Sequence, residues 1–156
     1  MTTVWLAREL RNPDPWAEAL QAQGLEAGYL PLIGLASISP DAKAQSYINS
    51  VAEFDWILFA SPMAVRRFFE EGGKISSGQK VGVVGAASAQ ALQDHYVSVD
   101  LIAVGGTGTS LAGELLGGLA KEQHSNQAGL NLKILCVGAQ GGQPDPVRRL
   151  VQAGVS

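Results

Sequence analysis

Asp55-Trp56-Ile57-Leu58-Phe59-Ala60-Ser61-Pro62-Met63-Ala64-Val65 is the stretch that decides the fold. Residues 56–60 form a continuous apolar run of strand length, the pattern of a strand buried on both faces. Ser61-Pro62 follows at once as a helix start. The serine hydroxyl can cap the first turn, and a proline at the first helical position forfeits only an N–H that has no partner there. Val65, Phe68 and Phe69 then fall on one helical stripe. Strand, turn and helix are thus written in about fifteen residues, with no hairpin signal between them.

The same rhythm extends in both directions. Downstream, residues 81–84 read as a second buried strand, Gly85 as a turn and 86–94 as a helix. Residues 97–104 read as a strand, the glycine turn 105–110 leads into a helix over 111–120, and 121–131 is a polar loop. Residues 133–137 form a strand, 138–145 a turn and 146–153 a helix that Gly154 stops. Upstream, residues 4–7 make a short strand, and Asn12-Pro13-Asp14-Pro15 supplies turn and N-cap chemistry. Trp16, Ala19 and Leu20 lie at helical spacing before Gly24, a C′ glycine. Residues 29–38 are extended but contain Pro31, which suits an edge or connector. Ser39-Pro40-Asp41 opens a further helix with Ile48 and Val51 on one face. A module recurs at Leu20-x-x-x-Gly24 and Leu150-x-x-x-Gly154. Apolar strands alternating with amphipathic helices mean an α/β protein with parallel sheets flanked by helices. After Gly154 the rhythm calls for a further strand.

Composition narrows the function classes. The chain has 156 residues, room for one ordinary domain or a domain plus a fragment of another. Apolar residues at 46% exclude a disordered chain. Charged residues are only 16% and glycines number 19, which points to glycine-rich turns at strand ends. The net charge of −3 with no basic stripe argues against nucleic acid as a partner. The single cysteine, Cys136, excludes a disulfide scaffold and a cysteine-rich metal site, and suits a reducing compartment. No signal peptide is read at the N-terminus and no apolar run reaches membrane length, so the expected location is cytoplasmic, without a membrane partner.

In open parallel sheets, ligands bind beyond the carboxyl ends of the strands. The turns at 8–12, 61–63, 85–88, 105–110 and 138–142 qualify. They offer Gly, Ser, Thr and free backbone N–H groups, and few charged side chains. That is a chemistry of anion cradling, because exposed amides at a helix start attract carboxylate or phosphate. The candidate binding residues are Arg8, Ser61, Pro62, Gly85, Ser88, Thr109, Ser110 and Gly138. Ser61 and Ser88 each read as N-caps or as ligand contacts, and the two roles are compatible. Arg8 reads as a solvated surface charge or, being the one cation at a strand end, as a ligand contact.

Other chemistries fail on inspection. Residues 105–110 lack the Lys-Ser/Thr ending of a P-loop, and Gly82-Val83-Val84-Gly85 is not a dinucleotide fingerprint. His95 and His124 are far apart without companion ligands, so no metal is expected. Cys136 lies inside a strand and reads as a buried, inert thiol. Ser61 has no evident base. The three tryptophans and Phe68-Phe69 read as core packing.

The ordered series of turns resembles the uroporphyrinogen-III synthase family. Val4-Trp5-Leu6-Ala7-Arg8 is similar to that family's opening strand ending in Thr-Arg. Gly24 followed by Leu30-Pro31-Leu32-Ile33 resembles its crossover into a linker. The 55–65 stretch matches its Asp, apolar run, Phe-Thr-Ser and Ala-Val. Val83-Val84-Gly85-Ala86-Ala87-Ser88-Ala89 resembles its Val-Gly-x-x-Thr-Ala turn. Thr109-Ser110-Leu111 resembles a helix start, and residues 135–138 with Leu150 and Gly154 its next strand-Gly-helix unit. The chain departs from the pattern at Ala60 and Ser88, where threonine is usual, at Val137, where arginine is frequent, and at Tyr96, where a glycine often ends the helix.

The resemblance implies cyclisation of linear hydroxymethylbilane to uroporphyrinogen III, with inversion of ring D and loss of water. It implies no metal or organic cofactor and a monomer at full length. The substrate carries eight carboxylates, and the family's crevice lies between two α/β domains. On this reading residues 1–32 are the opening of a discontinuous first domain and 33–156 nearly all of the second. A connector tyrosine of the family falls beyond Ser156, so no catalytic residue is assigned within the chain, and the 156 residues alone are expected to be inactive. Two alternatives remain open at this point. One is a noncatalytic anion- or nucleotide-binding module centred on 105–110; the other is an inactive synthase fragment.

Overall fold

The computed structural model describes residues 2–10, 12–32, 38–123, 132–139 and 145–155. The chain forms two compact units, Met1–Ser39 and Pro40–Ser156. The expected boundary after Leu32 and this one differ by residues 33–39, of which 33–37 lie outside the described residues.

The first unit is one strand–helix–strand motif. Strand β1 (Thr3–Leu6) pairs in parallel with β2 (Glu26–Tyr29), and α1 (Pro15–Ala22) connects them. Asp14 caps α1, its carboxylate accepting from Trp16 N–H at 3.0 Å. Gly24 takes φ +71° just past the helix, and Leu25 N–H returns to Leu20 C=O at 3.0 Å. The second strand starts earlier than the extended stretch from Tyr29 suggests, because the chain turns directly out of that cap. One helix over two strands cannot cover all the apolar residues. Trp5 and Trp16 are exposed, contrary to their expected core role, while Leu6 is buried.

The second unit opens with α2 (Ala42–Asn49), capped by Asp41, and a 3-10 turn at Val51–Glu53. Then come β3 (Trp56–Phe59), α3 (Pro62–Glu70), β4 (Lys80–Val84), α4 (Ala86–Gln93), β5 (Leu101–Ala103), α5 (Gly108–Gln123), β6 (Ile134–Val137) and α6 (Asp145–Gln152). The four strands form one sheet in the order β5-β4-β3-β6, and every pairing is parallel. Trp56, Ile57, Leu58 and Phe59 are all buried, as a central strand requires.

Alternation along β3 and β4 divides the core between the two faces. Ile57, Phe59, Val81 and Val83 pack with Val65 and Phe68 of α3 and Ala89 and Leu92 of α4. Trp56 and Leu58 pack on the other side with Leu111, Leu115 and Leu119 of α5 and Leu150 of α6. Each fully buried large side chain contributes about 1.5–3 kcal/mol. Gly82 belongs to this second face. A Cβ there would stand 2.7 Å from Leu58 Cδ2, so glycine is what lets Leu58 and Leu111 close over β4.

Two further sequence readings are adjusted, at β5 and at Cys136. β5 covers only residues 101–103 of the expected 97–104, because Asp100 turns back and its carboxylate accepts from Val81 N–H at 2.8 Å. Tyr96 has φ +58°, the conformation a glycine would favour at this helix end, and Val97 N–H returns to Leu92 C=O at 3.1 Å. Cys136 is exposed, since β6 is an edge strand. Desolvation beside the sheet still raises its thiol to about 11, so it stays protonated at neutral pH. At the chain's end the second Leu-x-x-x-Gly module repeats the first: Gly154 has φ +79° and Val155 N–H bonds Leu150 C=O at 3.1 Å.

Candidate functional site

Because β3, β4, β5 and β6 are parallel, the turns that follow them share one edge of the sheet. Ser61, Gly85, residues 107–110 and Gly138 are therefore gathered from four separated stretches of sequence. β3 leads into α3 on one face and β6 into α6 on the other. The strand order reverses between them, and such a switch point opens a crevice beyond the strand ends. Ala60 N–H donates to Val137 C=O at 3.0 Å as the last bond of the β3–β6 ladder. Just beyond it, a Cβ on Gly138 would stand 3.4 Å from the Ala60 Cβ.

Ser61 caps α3 as expected, with its Oγ accepting from Ala64 N–H at 3.1 Å. Pro62 has no N–H to give, which leaves Met63 N–H as the open donor of that turn. At α4 the capping expectation fails. The N-cap is Gly85, at φ +76° and ψ +165°, and it makes no side-chain cap bond. Ser88 lies one turn inside, fully buried, with its hydroxyl donating to Val84 C=O at 2.8 Å. The reason is geometric: a left-handed glycine already redirects the chain, so the serine three residues on points back into the turn. What α4 offers at this edge is its uncapped first turn, where Ala86 and Ala87 are exposed.

At α5 the cap is Thr107, which the sequence reading did not single out. Ser110 N–H donates to Thr107 Oγ1 and Thr107 N–H to Ser110 Oγ, both at 3.1 Å. This is a reciprocal capping box with Ser110 in the usual Glu/Gln position, and the i, i+3 spacing was the available signal. Thr109 is half-buried inside the first turn. A Cβ on Gly108 would meet Pro146 Cγ at 2.7 Å, so the starts of α5 and α6 lie against each other. Glu114, also unforeseen, brings a carboxylate to this corner and accepts from Val104 N–H at 3.0 Å. Glu114 therefore puts a negative charge at the β5 end of the edge, whereas the first turns of α3 and α4 carry no acidic residue. Gln140, Gly141 and Gly142 of the last turn, and His124, lie outside the described residues.

Arg8 belongs to the first unit and is not a solvated charge. It follows β1, and its Nη2 is paired with Oδ1 of Asp14. Its Cζ stands 5.2 Å from the Trp16 ring centroid. Asp14 Oδ2 accepts from the Tyr29 hydroxyl at 2.9 Å. Desolvation pushes the Asp14 carboxyl upward. The hydrogen bonds from Tyr29, Arg8 and Trp16 N–H and the charge of Arg8 outweigh it and hold the group below its ordinary value. Desolvation and the neighbouring Asp14 carboxylate push the Tyr29 phenol up. Among the described residues no three His, Cys, Asp or Glu side chains are grouped to hold a metal ion. No described helix is long and apolar enough to cross a membrane.

Comparison with solved structures supports this architecture. A mutant uroporphyrinogen III synthase from the extremely thermophilic bacterium Thermus thermophilus aligns with a TM-score of 0.69 at 16% identity, over 100% of this chain and 59% of that one. The wild-type protein in another crystal form gives 0.55 at 18% identity over the same shares. A further Thermus thermophilus structure gives 0.51 at 16%, over 98% of this chain and 58% of that one. At these identities the likeness is one of fold, and the chain spans about three-fifths of the length of these relatives. No curated protein matches the sequence. The family model described as uroporphyrinogen-III synthase HemD matches residues 14–156, nearly the whole chain, and the chain belongs to that family.

Proposed function

We propose that this chain is the greater part of a uroporphyrinogen-III synthase, a lyase that closes hydroxymethylbilane to uroporphyrinogen III with inversion of ring D and loss of water. The observation that carries the reading is the family match over residues 14–156. The chemistry of the sheet edge supports it. The substrate is a polycarboxylate, and the carboxyl edge presents open amides at the starts of α3 and α4, whose described first-turn residues include no lysine. Ser61, Pro62, Gly85, Thr109, Ser110 and Gly138 line the proposed binding edge in the second unit. Ser88 takes part through its backbone, because its hydroxyl is bonded to Val84 C=O. Arg8 is the proposed carboxylate ligand of the first unit.

On this reading residues 1–32 open a first domain and 33–156 form the second. The enzyme acts in the cytoplasm as a monomer and needs no cofactor. Its work is to hold a flexible linear tetrapyrrole folded for ring closure, a positioning effect that can supply several kcal/mol of barrier reduction, on the order of the effective-molarity advantage. The 156 residues match 59% of the solved relatives' length, and alone they are expected to have little or no synthase activity. The comparisons offer nothing toward a noncatalytic nucleotide-binding module.

The test is an assay on enzymatically generated hydroxymethylbilane with type I and type III isomers separated afterwards. Uncatalysed closure gives mainly type I. A chain of the relatives' full length that contains these residues should give type III, and its failure to do so would remove the proposal. An excess of type III from the 156 residues alone would overturn the expected inactivity.

A further inference from the structure

Three residues far apart in sequence meet at the carboxyl end of the two-stranded sheet of the first unit. Arg8 follows β1, Asp14 precedes α1 and Tyr29 ends β2. Asp14 is 5% exposed, and its carboxylate accepts from Arg8 Nη2, Trp16 N–H and the Tyr29 hydroxyl. The Arg8 guanidinium is held at one end by that carboxylate and on one side by the Trp16 ring. Its Nε is enclosed and has no partner. Its Nη1 is neither enclosed nor bonded among the described residues. An arginine on a free side chain loses rotamer entropy when it binds an anion. Here that ordering is already done, and the open Nη1 keeps a fixed place.

We propose that Asp14 and Tyr29 are positioning residues that set the Arg8 guanidinium against Trp16, with Nη1 presented, to receive one carboxylate of the polycarboxylate substrate. The inference rests on the function proposed above. It makes a prediction opposite in sign to simple charge counting. Replacing Asp14 by asparagine removes a negative charge, which by long-range electrostatics alone would strengthen binding of a polyanion. If Asp14 instead positions Arg8, the same change weakens binding. Asparagine also caps helices well, so α1 keeps its start.

The experiment measures binding of uroporphyrin, a stable octacarboxylate, to the full 156-residue chain by fluorescence titration. The variants are R8A, R8K, D14N and Y29F, and the double variant R8A/D14N. Far-ultraviolet circular dichroism checks that each is folded. R8A, R8K and D14N should each bind roughly tenfold more weakly than the unaltered chain, and Y29F less so, because it removes one of three bonds to the carboxylate. D14N should add nothing in the R8A background, which a general structural role of Asp14 would not produce. If the unaltered chain binds uroporphyrin and D14N binds it as well or better, the positioning role is wrong while the functional reading stands. If D14N weakens binding equally with or without Arg8, the role is also wrong. If the unaltered chain does not bind uroporphyrin, the polycarboxylate reading falls and this inference falls with it.

Discussion

Ala60 N–H donates to Val137 C=O at 3.0 Å, and from that bond the chain leaves the sheet in two directions. Past Ala60 it enters α3 on one face; past Val137 it passes Gly138 and enters α6 on the other. In open parallel sheets, strand neighbours that diverge in this way mark the place where ligands bind beyond the strand ends. Ala60 and Gly138, side by side at that point, carry almost no side chain.

Gly85 should resist every substitution. Its φ of +76° with ψ of +165° lies in a region that side-chain-bearing residues hardly enter. Gly85→Ala is expected to cost about 1–3 kcal/mol of stability, read from the midpoint of urea unfolding. It should also weaken uroporphyrin binding, because the strained turn sets the direction of the open amides at Ala86 and Ala87.

Ser61 separates capping from ligand binding. Ser61→Ala removes the bond to Ala64 N–H and should cost about 1 kcal/mol. Ser61→Asp restores a cap, so stability should recover. It also places a carboxylate at the anion edge, so uroporphyrin binding should fall below that of the alanine variant. Equal binding by the two variants would place the ligand elsewhere.

Ser88 gives the contrasting case. Its buried hydroxyl donates to Val84 C=O at 2.8 Å. Ser88→Ala is expected to lower stability by about 1 kcal/mol or less and to leave uroporphyrin affinity unchanged. A marked loss of affinity in a folded variant would show that the hydroxyl reaches the ligand.

Tyr96 should be improvable. It is fully exposed and holds φ +58° at the end of α4. Tyr96→Gly relieves a left-handed penalty of about 1–2 kcal/mol against a smaller entropy loss, so the melting temperature should rise.

The Asp14 cluster predicts a pH dependence with a definite sign. The folded-state pKa of Asp14 lies below its ordinary value of 3.8, so the folded state binds this proton less readily than the unfolded one. Its stabilising contribution is complete above pH 3.8 and is lost as pH falls through the lower folded-state value. Tyr29 is raised above 10.0, so its contribution is complete below that pH and is lost on further rise. The stability difference between the unaltered chain and D14N, followed by tryptophan fluorescence, should be flat near neutrality and shrink in acid. A difference that persisted unchanged below the carboxylate range would contradict the shift.

The elements were legible because their signals are local. Residues 56–60 are apolar without interruption, and Ser61-Pro62 is a helix start, whatever surrounds them. Gly24 and Gly154 end their helices by the same left-handed turn, which the Leu-x-x-x-Gly spacing already implied. The resemblance to the synthase family came from the order of such turns. Partnership could not be read in that way. Whether Ser88 caps or is buried depended on Gly85 redirecting the chain one turn earlier. The exposure of Cys136 depended on β6 falling at the sheet's edge. Arg8 found Asp14 and Tyr29 because a parallel β1–β2 pair brings the ends of both strands beside the start of α1. A sequence fixes φ/ψ preference and apolar period residue by residue. Hydrogen-bond partners and burial are set by segments many positions away, and only the packed sheet decides which segments those are.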